Sequence, residues 1–225
     1  MKVLHVFVEP RGGGGSLDST LATIKLTRQK GHDVQVFTKN SYDFPENLAG
    51  RCHSAISAFH APESLRQFSR KLMDFKPDLI HANELRPYIS TKVLQVCREH
   101  HIPVIMTCDD YHLTCPVINH YRNQNVCTKC LDGKEYWAVL HNCRNNVPES
   151  IISAMYNFIA RKRQSITKYV DHFITCSEFT RQWLIKHANI SEKSITAIPH
   201  AIDIPDNQHL YNVTQDIHND YLHQQ

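Results

Sequence analysis

The sequence lacks three things: a long apolar run, a strong net charge and, outside one short segment, glycine. No stretch approaches the roughly 20 consecutive apolar residues that span a bilayer, and the apolar N-terminal stretch is too short for a secretory signal. The net charge of the 225 residues is only +3, which does not indicate a nucleic-acid partner. These absences favour a cytoplasmic globular protein, in which the eight cysteines are not expected to form a disulfide framework.

What is present is an alternation of short apolar runs with helical patterns. The runs predict buried strands at 2–8, 33–38, 52–59, 77–82, 102–108, 172–176 and 195–199. Amphipathic periodicity predicts helices between them, including a long one at about 149–168. Such alternation predicts a doubly wound, Rossmann-like parallel sheet with helices on both faces. We expect one domain over residues 1–203, followed by a polar tail or linker at 204–225.

Four of the seven glycines stand together in the turn after the first strand, EPRGGGGS (9–16). Glycine lets the backbone approach a ligand closely, and the N-terminus of the following helix favours an anion. The spacing matches neither the dinucleotide fingerprint nor the P-loop, so a tight, flexible connection is the alternative. Because open α/β sheets bind ligands beyond the carboxyl ends of their strands, we predict that Gly13, Gly14 and Gly15 face a ligand.

A cysteine cluster interrupts the α/β pattern between about 111 and 147. Cys115, Cys127, Cys130 and Cys143 are spaced C-x11-C-x2-C-x12-C, which can place four thiolates on one zinc ion or, less often, on an iron–sulfur cluster. A loop of this length is uncommon in a compact domain unless a cross-link holds it in place, so we predict a structural metal. Incidental reduced thiols and redox or disulfide use are the alternatives. Other ligand types in the segment are His112, His120 and His141.

The long predicted helix combines the apolar run IISAMYNFIA with a basic end. The basic residues are Arg161, Lys162, Arg163 and Lys168. A helix of this composition can rest on an anionic membrane surface. The alternative, which we favour from the sequence, is an ordinary amphipathic helix with a charged solvent face.

Six segments in order resemble the N-terminal half of a GT-B glycosyltransferase of family 4. They are MKVLHVFVEPRGGGG, LTRQKGHDVQVFT, KPDLIHANEL, IPVIMTCDDYHLTCP, VDHFITCSEFTRQWLIKHANI and ITAIPHAID, and together they extend over residues 2–203. The resemblance implies a Rossmann-like domain that binds the acceptor. It also implies transfer of a sugar from a nucleotide sugar to a saccharide or lipid-linked saccharide.

Two departures from the family pattern bear on activity. Asp109 stands where the family has a histidine over the acceptor side of the cleft, beside Asp110. A carboxylate can accept a proton, but it opposes negative charge on a departing diphosphate. In addition, IPHAID stands where the family's IPNGID leads towards the nucleotide-sugar domain, which lies outside these residues. We therefore expect the isolated chain to be inactive and to need a donor domain supplied in trans.

His81 and Asn83 end a predicted strand at the ligand edge, and Glu178 lies at a strand-to-helix turn on the cleft side, so we predict that these three residues contact a sugar. A satisfied, partly buried histidine is the alternative for His81, and helix capping by the neighbouring serine accounts equally well for the segment around Glu178. Glu84 and Arg86 are expected on a solvated loop. The adjacent aspartates at 109 and 110 do not have the D-x-D spacing of metal-dependent sugar transferases.

Two other functions remain open for the chain. One is a non-catalytic carbohydrate-binding or regulatory remnant of such a domain, and the other is a metal- or redox-sensing module built on the cysteines. A half domain that presents its cleft face also favours homodimerisation.

Overall fold

The computed structural model describes residues 1–10, 14–40 and 61–200. Its main strands are β1 (Lys2–Glu9), β2 (Asp33–Asn40), β3 (Leu79–Ala82), β4 (Val104–Cys108), β7 (His172–Thr175) and β8 (Ile195–Ala197). They form one six-stranded parallel sheet in the order β2-β1-β3-β4-β7-β8. Each of them coincides with a predicted apolar run, while the run predicted at 52–59 lies outside the described residues.

Six α-helices accompany these strands within the described residues. They are α1 (Gly15–Gln29), α2 (Pro62–Phe75), α3 (Lys92–Glu99), α4 (Tyr136–Leu140), α5 (Val147–Arg163) and α6 (Glu178–Ala188). The long predicted helix is α5, which begins where the Asn146 side chain accepts a hydrogen bond from the Glu149 amide. It ends earlier than predicted, because Gln164 adopts a left-handed conformation with φ 49°.

The core lies on both faces of the sheet, as the sequence predicts for a doubly wound domain. On one face, side chains of α2, α3 and α6 pack against alternate residues of β1, including Leu4 and Val6. On the other face, Ile24 of α1 packs against Val3 and Phe7. The two sets alternate because successive side chains of a strand point to opposite faces.

The strand order fixes where a ligand site can form. β1 lies between β2 and β3, so the direction of winding reverses between β1 and β3. In open α/β sheets the crevice for a ligand lies at this switch point, outside the carboxyl ends of the strands. The residues that follow β1, β3 and β4 therefore lie at the edge where a site is expected.

The cysteine-bearing insertion has small structural elements of its own. β5 (Tyr121–Arg122) and β6 (Asn125–Val126) form an antiparallel hairpin, whose two turn residues both have positive φ, as a type I′ turn requires. A short 3-10 turn at Leu131–Gly133 and the helix α4 follow. Within the described residues, no helix is long and apolar enough to cross a membrane.

Candidate functional site

The glycine turn and Asp109 meet at the carboxyl edge of the sheet. Gly14 is the N-cap of α1, with φ 135°, a backbone conformation that residues with a side chain rarely adopt. Among the described residues, no heavy atom lies within 4 Å of where a Cβ would project from Gly14 or Gly15. From the first turn of α1, Ser16 Oγ donates a hydrogen bond to Asp109 Oδ2 at 2.7 Å. Two regions predicted to face a ligand are thus close in space, while Gly13 lies outside the described residues.

His200 joins this site, although the sequence did not single it out. Its Nδ1 lies 2.7 Å from Ser19 Oγ, and its Nε2 lies 3.6 Å from Asp109 Oδ1. Within the described part of the chain, Asp109 Oδ1 is buried without a hydrogen-bond partner, so it can accept a hydrogen bond from the neighbouring imidazole. The one sequence signal for His200 is its position just after β8, at the same edge of the sheet.

A network of four charges lies next to Asp109. Arg86 donates two hydrogen bonds to the Glu84 carboxylate, at 3.1 Å from Nε and 3.0 Å from a terminal nitrogen. His112 Nδ1 lies 2.6 Å from Asp110 Oδ1. The prediction that Glu84 and Arg86 lie on a solvated loop is wrong, because only 15% of the Arg86 side chain is exposed. A bidentate pair shields both groups from water and still satisfies their hydrogen bonds.

Each charge of the network keeps its partner ionised. Burial by itself would raise the pKa of Glu84, but the Arg86 guanidinium holds it below its usual value. Burial likewise opposes the ionised form of Asp110, yet the His112 imidazole lowers the pKa of that carboxyl. Burial disfavours charge on His112, whose pKa is nevertheless raised by the Asp110 carboxylate.

Glu84, Asp110 and His112 are also the one group, among the residues described, whose potential ligand atoms converge for a metal. Their ligand atoms lie within 4.8 Å of one another. The two carboxylates are, however, already matched by the charges of Arg86 and His112. A bound cation would have to displace these partners, so we assign the group a structural role.

His81 and Asn83 lie where β3 ends, and both are buried. His81 Nε2 is 2.8 Å from Thr107 Oγ1, and its ring lies 4.7 Å from that of His5 on the neighbouring strand. Burial lowers the pKa of His81 to about 4. This environment matches the alternative of a satisfied, buried histidine. Asn83 Oδ1 has no hydrogen-bond partner among the described residues, which leaves an unsatisfied acceptor at the strand end.

Glu178 lies at the start of α6, at the carboxyl edge of the sheet. Its carboxylate pairs with Arg181 at 2.7 Å and accepts a hydrogen bond from Gln182. The preceding Ser177 caps the helix, with its side chain accepting from the Thr180 amide. These local contacts account for the free amides at the start of the helix and for the Glu178 carboxylate. A contact between Glu178 and a sugar stays a prediction.

The four cysteines of the insertion lie near one another as free thiols. Burial, together with the neighbouring Cys115, Cys143 and Cys127, raises the pKa of Cys130 to about 12. Burial and the nearby Cys127 also raise the pKa of Cys143. No three of the four sulfurs lie within 4.8 Å of one another. The thiols are grouped, but they do not converge on a single point.

Comparison with known proteins gives a family match over most of the chain. The family model described as Glycosyltransferase Family 4 matches residues 13–205. A search of curated protein sequences gives no significant match.

Solved structures that resemble the chain include a UDP-GlcNAc epimerase and two proteins in complex with UDP. UDP-GlcNAc 2-epimerase from Methanocaldococcus jannaschii is 11% identical, with a TM-score of 0.46 and coverage of 89% of this chain and 46% of that one. A Siraitia grosvenorii UGT in complex with UDP is 9% identical, with a TM-score of 0.47 and coverage of 96% and 52%. HepE from Anabaena, also with UDP, is 13% identical, with a TM-score of 0.43 and coverage of 96% and 50%. The chain spans about half the length of these structures.

Proposed function

The chain belongs to glycosyltransferase family 4, and we propose that it is the acceptor-binding half of a GT-B enzyme. The reaction is transfer of a sugar from a nucleotide sugar to a saccharide or lipid-linked saccharide. The observation that carries this proposal is the contact between the glycine turn and Asp109 at the switch point of the sheet, within the segment that matches the family. It joins an open turn to a carboxylate that can bind a sugar hydroxyl.

We assign the acid–base chemistry to Asp109 together with His200. A lone carboxylate at this position would oppose the charge that develops on the leaving diphosphate. A neutral His200 would accept the proton of an acceptor hydroxyl, and the imidazolium so formed, 3.6 Å from Asp109 Oδ1, would then neutralise that carboxylate. Ser16 and Ser19 on α1 orient the two side chains. Asp110 supports the site from its pair with His112.

The proposal includes a donor-binding half, either in the same polypeptide or in a separate subunit. The matched structures are about twice as long as this chain. In a two-domain transferase the second domain holds the nucleotide sugar and completes the cleft, so groups that stabilise the diphosphate are expected there. We therefore expect no turnover by residues 1–225 alone.

We predict that a donor-type partner and transferase activity are recovered together. The tagged chain is isolated from its native cell, bound proteins are identified, and the eluate is assayed for hydrolysis or transfer of UDP-sugars. His200→Ala should lower the recovered activity at least tenfold, because the site loses its imidazole. His100→Ala, at an exposed position after α3, serves as the control and should leave it unchanged.

A tagged chain that elutes alone and inert, with no donor-type domain in its own polypeptide, would contradict the transferase proposal. The second candidate, a carbohydrate-binding remnant, would then be favoured by Asp109 at the position where the family has histidine. Asp109→His in the reconstituted pair separates the two, since recovery of activity by this change alone would show that the native site is inactive.

We further propose that the insertion binds one zinc ion through Cys115, Cys127, Cys130 and Cys143. Tetrahedral zinc–thiolate bonds of about 2.3 Å require sulfurs roughly 3.8 Å apart, so zinc binding requires the grouped thiols to move closer together. A cation would favour the thiolate form of Cys130, which burial and the neighbouring cysteines now disfavour by raising its pKa, and the Ala138 amide already donates to its sulfur. Thiolate ligation requires reduced cysteines, which fits a cytoplasmic protein.

We predict one zinc per chain in protein purified without chelator, as measured by elemental analysis. Cys130→Ser should lower the metal content at least tenfold and destabilise the insertion, because three ligands remain. Cys97→Ser changes a buried cysteine in α3, away from the cluster, and should leave the zinc content unchanged. Metal-free wild-type protein with an unchanged melting temperature would overturn the proposal.

A further inference from the structure

An aromatic side chain is exposed at the start of α6, at the carboxyl edge of the sheet. Phe179 is 66% exposed, and its ring stacks on that of Trp183, with 6.1 Å between the ring centroids and 27° between the planes. The two residues are four positions apart, which places them on one face of the helix. Trp183 is partly buried and packs against the core. The two rings together form a surface called here the α6 platform.

The cysteine-bearing insertion holds the inner ring of the α6 platform in place. Trp183 Nε1 donates to Thr114 Oγ1 at 3.2 Å, and this oxygen lies 2.9 Å from His120 Nε2. His120 Nδ1 lies 2.8 Å from the Cys127 carbonyl. Because a carbonyl can only accept, a neutral His120 donates from Nδ1 and accepts from the Thr114 hydroxyl at Nε2. A directed chain of hydrogen bonds therefore fixes the orientation of the indole.

The α6 platform lies beside Asp109. The strands β4 and β7 pair in register, with Cys108 opposite Thr175, so the segments that follow these two strands leave the sheet side by side. Tyr111, two residues after Asp109, contacts the Trp183 ring edge-on, with 5.7 Å between the centroids and 70° between the planes. A ligand that binds at Asp109 can therefore extend across the α6 platform.

Polar groups border the α6 platform. Glu178 and Gln182, also four residues apart, form the adjacent stripe of the helix, and the Glu178 side chain is 61% exposed. Arg181 and Gln182 both donate to the same carboxylate oxygen, Glu178 Oε1, each at 2.7 Å. The other oxygen, Oε2, can accept a hydrogen bond from a ligand hydroxyl. A flat apolar ring beside such acceptors suits a ligand that has both a face of C–H groups and an edge of hydroxyls, as a pyranose does.

We propose that the α6 platform binds a second sugar residue of an oligosaccharide acceptor. The inference rests on the proposed function, since it takes the acceptor to be a saccharide, and it adds that this acceptor has at least two sugar residues. The reacting sugar lies at Asp109 and His200. The next sugar stacks on Phe179 and donates a hydroxyl hydrogen bond to Glu178. The negative face of the aromatic ring attracts the weakly positive C–H groups of this sugar.

A nucleotide fits the α6 platform less well, although a base could stack on the same ring. Its phosphates require a cation, whereas the residue next to Phe179 is the exposed carboxylate of Glu178. Arg181, in the same turn, is already paired with Glu178 at 2.7 Å and with Glu192 at 3.1 Å. Like charges at an interface repel. The charge pattern therefore favours a saccharide without phosphate.

The test uses the fluorescence of Trp183. The chain has two tryptophans, so Trp137→Phe in the full chain leaves Trp183 as the single reporter. The probes are short oligosaccharides released by mild acid from the polysaccharides and lipid-linked saccharides of the native cell, and the monosaccharides obtained from them by complete hydrolysis. We expect a saturable fluorescence change with the oligosaccharides and at least tenfold weaker binding of the monosaccharides. Phe179→Ala should weaken oligosaccharide binding at least tenfold, whereas Phe179→Tyr keeps the ring and should retain binding.

The matched control is a phenylalanine on α5. The solvent face of that helix is apolar where a charged face was expected, with Val147, Ile151, Met155 and Phe158 each 44% to 50% exposed. Phe158→Ala removes an exposed aromatic ring away from α6 and should leave oligosaccharide binding unchanged. Melting curves establish that each variant is folded.

Two outcomes would overturn the proposal: no fluorescence response to any oligosaccharide fraction, or equal binding by Phe179→Ala and the wild type. Saturable binding of UDP that depends on Phe179, without binding of oligosaccharides, would assign the α6 platform to a base instead. The measurement needs neither a donor domain nor a nucleotide sugar. Oligosaccharide binding by a chain that never supports transfer would therefore contradict the transferase proposal and leave the α6 platform standing.

Discussion

Replacing Arg86 with methionine should lower the free energy of unfolding by about 2 to 3 kcal/mol. Methionine keeps the aliphatic part of the side chain, but it leaves the Glu84 carboxylate without the fork of hydrogen bonds that holds it. Breaking a buried pair on one side commonly costs about 3 to 5 kcal/mol. A smaller loss is expected here because a third of the Glu84 side chain remains exposed to water. Urea unfolding at pH 7 measures the change.

A matched pair on the surface gives the control for this effect. Arg66 pairs with Glu63 on α2, where the two side chains are 68% and 61% exposed. Arg66→Met should therefore change stability by less than about 1 kcal/mol. The double variant Arg86→Met with Glu84→Gln should be less destabilised than the sum of the single changes, because no unpaired carboxylate is left. Equal losses for Arg86→Met and Arg66→Met would contradict a structural role for the network.

Stability should fall by about 3 kcal/mol between pH 7 and pH 5. Burial, with a contribution from His81, lowers the pKa of His5 to about 3, and His81 falls to about 4. The pKa of a histidine in the unfolded chain is about 6.5. Below this pH the unfolded chain binds protons at these two histidines and the folded chain does not, so the free energy of unfolding falls as the pH falls. Each histidine contributes a loss of about 2 kcal/mol over this interval.

His112 acts in the opposite direction. Its folded pKa is raised, so its contribution is fully present below about pH 6.5 and is lost as the pH rises through the folded value. Between pH 7 and 5 it offsets less than about 1 kcal/mol of the loss. The lowered pKa values of Glu84 and Asp110 matter only further into acid, below their unfolded values of about 4.

Urea unfolding at pH 5, 6 and 7 measures this slope, and His5→Leu tests its cause. Both ring nitrogens of His5 are buried without hydrogen-bond partners in the described structure, so leucine should be tolerated at pH 7 and should remove about 2 kcal/mol of the acid loss. His100→Leu changes an exposed histidine and should keep the wild-type slope. If His5→Leu has the same dependence of the free energy of unfolding on pH as the wild type, His5 is not a cause of the loss in acid.

The fold was accessible from the sequence because its signals are local. The runs around β1, β3 and β4 are apolar enough to be read as buried parallel strands, and the glycines mark the turn at the carboxyl edge of the sheet. The site was accessible only in part. Asp109 is the residue after a predicted strand, so its position at the edge of the sheet could be predicted. The contact between Ser19 and His200 joins residues 181 positions apart, and no local sequence pattern predicts such a contact.

Two local patterns were misread for a physical reason. Glu84 and Arg86 are charged residues after a strand, which usually means exposure to solvent, yet their mutual hydrogen bonds let the pair be largely buried. The helix α5 has both polar and apolar residues at helical spacing, and the sequence does not say which side faces the protein. Here hydrogen bonds from Ser150, Ser153 and Asn157 decide the orientation.

The contact of His200 with α1 has a consequence for whatever chain segment follows it. It fastens the end of the described structure at the carboxyl edge of the sheet, beside Asp109. A binding module joined to this residue by a short flexible linker would have an effective concentration over the site in the millimolar range. A module with a Kd below that concentration would occupy the site most of the time, and cutting the linker would lower this occupancy without altering one contact in the site.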